Sequence, residues 1–160
     1  MCVSKNLFGF LFSALLIIFF LGCDNRKVFE ENSEIPASLW DQDQLVPFQF
    51  NISDTSIGYN ILLNIRHTGL YQYRNIWIKV YSTIPSGKKS EKMVELMLAQ
   101  PDGKWLGSGM GDIWDNSILV QKNVKFPLTG NYKMELQQYM RKEKLPFIMD
   151  VGVRVEKLSN

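Results

Sequence analysis

Cysteine is nearly absent. The chain has 160 residues and two cysteines, Cys2 and Cys23. Both lie close to the N-terminus, so no disulfide framework staples the body of the chain, and its fold rests on a core alone. Histidine is scarcer still: His67 is the single one. One histidine makes no zinc site without a cluster of partners. No serine motif or free thiol marks a nucleophile for it. A strong charge of either sign is missing too, since the net charge is +2. That argues against an electrostatic nucleic-acid binder, which would show a strongly basic face. Internal repeats and low-complexity segments are absent. Past the N-terminal segment, no long stretch has the 3.6-residue apolar period of an amphipathic helix.

The first feature present is an apolar run. Leu7 to Cys23 contains no charge, and Lys5 stands just before it. A positive residue, a short apolar run and a small residue before a cleavage point make a secretory signal. The run is short for a spanning helix, which needs about 20 apolar residues. It ends in Phe20-Leu21-Gly22-Cys23, which resembles the bacterial lipobox, although Leu is more typical where Phe20 stands. The expectation is cleavage before Cys23, with Cys23 as the lipid attachment site and an acyl chain such as palmitate on the new N-terminus. Two or three acyl chains anchor durably where one does not. The expected organisation is a lipoprotein signal peptide at 1–22, a lipidated tether at 23–39 and one domain at 40–160. No acidic run follows Cys23, so the periplasmic face of the outer membrane is the expected location. The membrane is the partner through this anchor.

Period-two alternation dominates the rest. Val46, Phe48, Phe50 and Ile52 alternate with polar residues, as do Tyr59, Ile61, Leu63 and Ile65. Ile76, Ile78 and Val80 follow, then Val94, Leu96 and Leu98, then Tyr132, Met134 and Leu136. Met149, Val151, Val153 and Val155 close the chain. Such patterns belong to half-buried strands. Turn signals separate them: Ser53 to Gly58, Pro85-Ser86-Gly87, Pro101-Asp102-Gly103 and Gly130-Asn131. About seven short strands indicate an all-β, antiparallel β-sandwich. Long connections, notably Gln100 to Lys122, favour a Greek-key or jelly-roll arrangement over a meander. Lys88 to Lys92 reads as an exposed charged loop, Asp112 to Val120 as a stretch able to hold a helical turn, and Trp77 as a core residue.

Few residues suggest chemistry. Gly107-Ser108-Gly109-Met110-Gly111 lacks the spacing of a dinucleotide fingerprint and reads as a turned loop. Asp112, Asp115 and Asn116 offer too few oxygens for calcium, so no metal and no cofactor is expected. Any sandwich has carboxylate pairs, and none here marks a hydrolase. His67 reads as an exposed loop residue. Trp105 and Trp114 flank the glycine loop. With Asp112 and Asp115 they form the candidate partner contact, because an exposed Trp is a large apolar anchor. The opposing reading has both tryptophans folded inward to close one end of the sandwich.

Several blocks in order resemble a known family, the gliding motility lipoprotein GldH family of Bacteroidota. They are Asp54-Thr55 with Tyr59-Asn60; Tyr71-Gln72-Tyr73-Arg74-Asn75-Ile76-Trp77; Pro85-Ser86-Gly87; Leu98-Ala99 with Gly103-Lys104-Trp105-Leu106-Gly107 and Gly109; Gly111-Asp112-Ile113 with Asp115; Gln138-Tyr139-Met140-Arg141; and Asp150 to Lys157. Gln72 stands where Pro is expected, and Lys88 to Lys92 is more basic than expected. The resemblance implies a non-enzymatic accessory lipoprotein of the gliding apparatus, working with other motility and secretion-machinery proteins. It carries over no catalytic residue. The other class open to a tethered sandwich is a lectin-like protein that binds envelope glycan or peptidoglycan.

Overall fold

The computed structural model describes residues 26–158, so Cys23 and the segment read as a signal lie outside the described residues. Eleven strands run in chain order: β1 Lys27–Glu34, β2 Leu39–Asp41, β3 Val46–Ile52, β4 Tyr59–Thr68, β5 Asn75–Thr83, β6 Lys89–Met97, β7 Ser108–Met110, β8 Ile113–Val124, β9 Gly130–Gln138, β10 Lys144–Pro146 and β11 Ile148–Lys157. One sheet has the order β1-β11-β4-β8-β7 and the other β3-β9-β5-β6, while β2 and β10 pair as a small flap. Every pairing is antiparallel. Only β5–β6 and β7–β8 join sheet neighbours directly. The paths β3 to β4, β4 to β5, β6 to β7 and β8 to β9 cross between sheets. This is a sandwich with Greek-key-type crossings, as the long connections suggested.

Alternation put the core where it was expected. Val46, Phe48, Phe50 and Ile52 of β3 are buried, and so are Tyr59, Ile61, Leu63 and Ile65 of β4. Ile76, Ile78 and Val80 of β5 meet Tyr132, Met134 and Leu136 of β9 on one inner face. Val151, Val153 and Val155 of β11 complete the other. Burying each such side chain stabilises by about 1.5–3 kcal/mol before chain entropy is counted.

Five local expectations need correction. The stretch taken as tether, 23–39, holds β1, which pairs with β11 from Lys27 to Glu34. Its sequence, Lys-Val-Phe-Glu-Glu-Asn-Ser-Glu, reads as polar because β1 is an edge strand with its outer face in solvent. Phe29 holds it to the core by packing on Phe50, with ring centroids 5.5 Å apart. Folded chain therefore begins near Lys27 and not at Trp40. Asp112 to Val120 has no helical turn, since β8 starts at Ile113. Lys89 to Lys92 belong to an exposed half of edge strand β6. Trp77 lies on the outer face of β5 and is half-buried, opposite in parity to the buried Ile76 and Ile78. His67 is fully buried within β4.

Candidate functional site

Two surfaces stand out, one polar and one apolar, and they meet near Asp115. The polar one covers the outer face of the five-stranded sheet. Antiparallel register stacks its residues in cross-strand rows. Asp115, Arg66, Asp150 and Glu34 form one row across β8, β4, β11 and β1. Ser117, Asn64, Gly152 and Asn32 form the next, and Leu119, Leu62, Arg154 and Glu30 the third. A trough of about 430 Å³ runs over the first two rows and is bounded by Gly107 and Ser108.

Its side chains hold one another. Arg66 Nε donates to Asp115 Oδ1 at 2.6 Å, and its Nη1 donates to Asp150 Oδ2 at 3.3 Å. Ser117 Oγ donates to Asn64 Oδ1 at 2.7 Å, and Asn64 Nδ2 donates to Asn32 Oδ1 at 3.0 Å. Arg154 Nη1 donates to Glu30 Oε2 at 3.1 Å. Burial pushes the Glu30 carboxyl up, but Lys27 and Arg154 outweigh it and hold Glu30 below its ordinary value. Asp150 and Arg154, both on β11, are thus each paired with a charge on a neighbouring strand. Gly152 leaves the space that the Asn32 side chain occupies: a Cβ there would overlap that side chain and approach the Glu31 carbonyl at 2.6 Å.

The apolar surface is the tip where β4, β7 and β8 end. Met110 is 87% exposed and Leu70 69%, and Ile113 is partly exposed beside them. Register pairs Met110 and Thr68 with Ile113. Gly69 N–H donates to the Asp112 carbonyl at 2.7 Å and ties the Leu70 turn to the hairpin. The hairpin loop is Gly111-Asp112, with Gly111 at φ 62°, the positive angle that a two-residue loop demands.

The residues expected as the contact divide between front and back. Asp112 and Asp115 are exposed, and Asp115 is bound to Arg66. Trp114 is half-buried, and a Cβ on Gly109 would come within 2.7 Å of its ring. Trp105 is half-buried with its ring 4.5 Å from His67. The glycine loop thus contains β7; Gly107 and Gly109 serve packing, with no room for a side chain against β8, while Gly111 serves the turn.

Behind the tip lies a cluster of His67, Tyr71, Tyr73 and Trp105. Tyr71 Oη donates to the Asn75 carbonyl at 3.0 Å, and burial pushes its phenol well up. His67 Nδ1 lies 2.9 Å from the Thr68 carbonyl, while no protein partner among the described residues reaches Nε2. Burial lowers the His67 pKa, so the ring is neutral at neutral pH. Sequence reasoning missed His67 and Leu70, and it pointed to the glycine loop that holds Met110 without singling out Met110 itself. The period-two pattern of β4 extended by one step would have put His67 inside. Among the described residues, no three His, Cys, Asp or Glu side chains converge to hold a metal.

Fold and surfaces define a class: a two-sheet antiparallel sandwich with a polar outer face and an apolar tip. The GldH lipoprotein family model matches residues 27–155. The chain is 35% identical over 162 residues to "Gliding motility lipoprotein GldH homolog" of Christiangramia forsetii, covering 97% of each chain. It is 32% identical to "Gliding motility lipoprotein GldH" of Flavobacterium johnsoniae, covering 92% of this chain and 94% of that one. The protein belongs to the GldH lipoprotein family. Among solved structures, infectious bursal disease virus VP2 aligns over 82% of this chain and 30% of its own, at 12% identity and TM-score 0.36. The K1 cleaved adhesin domain of Lys-gingipain from Porphyromonas gingivalis aligns over 88% of both chains, at 10% identity and TM-score 0.35.

Proposed function

We propose that this gliding-motility lipoprotein is a non-enzymatic interaction component of the gliding apparatus and of the secretion machinery linked to it. Cys23 carries the lipid, and the domain stands on the periplasmic face of the outer membrane. The observation that carries the interaction role is the tip: Met110, Leu70 and Ile113 are large apolar side chains left in solvent at one corner. Exposed apolar clusters of this kind mark protein contacts. Trp114 and Trp105 stiffen that corner from behind, and Asp112 and Asp115 supply charge at its rim. A photo-crosslinker placed at the exposed rim residue Asp112 in native cells should capture discrete envelope proteins. Met110→Glu with Leu70→Glu should abolish capture and gliding while the protein still reaches the envelope. Normal gliding by that double variant would sink the proposal.

The polar trough favours a second reading, a site for a neutral glycan. Planar amides, carboxylates and a guanidinium held at fixed spacing suit a polyhydroxy ligand. Envelope saccharides retained by the wild-type protein but not by Asn64→Ala would support that role, whereas equal retention would remove it.

A further inference from the structure

We propose that the end of the sandwich nearest Cys23 is a membrane-docking face that lies on anionic phospholipid headgroups. The inference rests on Cys23 as the lipid attachment site. Three peptide steps separate Cys23 from Arg26, a reach of at most about 10 Å whatever their conformation. β1 begins at Lys27 and is hydrogen-bonded into the sheet from there. The tether is therefore far shorter than a polar 17-residue leash from 23 to 39 would be, and this end of the fold is held close to the bilayer. That separation is comparable to the Debye length of about 8 Å at physiological salt.

The charge there fits a negative surface. The same end holds the β3–β4 loop at 53–58, the β5–β6 hairpin at 84–88, the β8–β9 loop at 125–129 and the end of β11. Lys157 N–H donates to the Arg26 carbonyl at 2.8 Å, which sets the last strand beside the first. Lys125 Nζ reaches the Ser56 carbonyl at 2.5 Å and joins two of the loops. Arg26, Lys27, Lys88, Lys122, Lys125 and Lys157 are all exposed here. Asp54 is the one carboxylate in the three loops, and it is occupied with Ser56 of its own turn; on the strand ends, Glu30 is paired with Lys27 and Arg154, and Glu156 with Arg154. The far end mixes signs, with Asp102, Asp112 and Glu143 among Lys104, Arg141 and Lys142. A net charge of only +2 conceals this asymmetry. Basic residues close to an anionic membrane are attracted to it over such distances. The acyl chains supply retention, and the basic face supplies orientation. It stands the sandwich upright, so that Met110 and Leu70 point away from the membrane.

The test uses the lipidated protein in vesicles that carry a nitroxide on the lipid headgroup. A fluorophore is placed through Thr129→Cys at the basic end or Asp102→Cys at the far end, both at exposed positions. In phosphatidylglycerol-containing vesicles the Thr129 probe should be quenched at least about threefold more than the Asp102 probe. The difference should shrink markedly in phosphatidylcholine, in about 1 M salt where the Debye length is about 3 Å, and in Lys122→Glu/Lys125→Glu/Lys157→Glu; a difference unchanged under all three would overturn the docking face, because the short tether alone would then account for it. Incorporation of labelled fatty acid is measured on the same preparation. Label at Cys23 with equal quenching of both probes would overturn the docking face alone. Absence of label would overturn the lipid reading and this inference with it.

Discussion

Both ends of the sandwich are closed by aromatic side chains, but the two plugs differ in chemistry. At the end where β1 begins, Phe50, Tyr59, Phe126 and Tyr132 pack with centroids 4.7–5.9 Å apart. Their two hydroxyls are used: Tyr59 donates to the Asp54 carbonyl and Tyr132 to the Leu128 carbonyl, each at 2.7 Å. These bonds pin the 53–58 and 125–129 loops that carry the basic face. At the tip, the plug is His67, Tyr71, Tyr73 and Trp105, and it includes an imidazole nitrogen with no protein partner among the described residues. One end has its buried hydroxyls satisfied; the other buries an imidazole nitrogen that no described residue reaches. A buried polar atom left unpaired costs free energy, so the tip should yield first when the protein is stressed.

Deleting either plug tests that ordering. Phe126→Ala should cost about 3–5 kcal/mol, because a buried ring touching three others leaves a large cavity. Denaturant unfolding measures it, and a cost below that of Trp105→Ala would reverse the comparison. Trp105 is only half-buried, so Trp105→Ala should cost less, about 1–3 kcal/mol. Hydrogen exchange on that variant should rise around Tyr71 and Leu98 while β3 and β9 keep their protection. Uniform loosening of both ends would show that the plugs are one cooperative unit.

A smaller effect separates the two ends by pH. Burial depresses the His67 pKa below its ordinary 6.5 in the folded state. As pH falls through 6.5, the unfolded chain takes up a proton that the folded chain resists, so stability is fully present above that point and declines below it. Melting temperature should hold from pH 8 to 7 and fall as pH drops below about 6.5. His67→Gln should remove that slope, since the chain has no other histidine. A slope that survives the substitution assigns it to other groups. Glu30 and Asp54, both held below their ordinary values, lose their contributions only at lower pH.

The smallest stability effect belongs to the outermost residue. Met110→Glu should change folding free energy by no more than about 0.5 kcal/mol, as surface substitutions do. Its effect should appear in partner crosslinking alone. A marked loss of stability would mean that Met110 braces the tip instead of presenting it.

Much of this was legible in residue order, and the exceptions share a cause. Because a strand with one buried face must repeat every two residues, alternation in β3, β4, β5, β9 and β11 named most of the core, but not Ile35, Trp40, Tyr71, Phe126 or Leu145, and it chose Met149 where a bulge buries Ile148 instead. It missed β1, whose outer face is solvated and whose inner grip comes down to Val28 and Phe29. It placed His67 outside because a histidine before Thr68-Gly69 suggested a strand already ended, yet β4 runs on to Thr68. Trp77 went the other way: a large ring suggested burial, but its parity puts it on the outer face of β5.

By itself, the sequence determined the class of fold, the absence of disulfides in the body of the chain, the strands that form the core and the likeness to the GldH family. Those follow from local periodicity, residue counts and ordered motifs. Only the tertiary structure decided which polar residues meet. Glu30, Asn64, Asp115 and Asp150 come from four separate strands, and no spacing along the chain shows that β11 lies between β1 and β4. The same holds for the basic end, where Arg26, Lys125 and Lys157 are distant in sequence and joined by the closing of the sheets. Cross-strand neighbours are fixed by topology and register, and both are settled only when the two inner faces have packed.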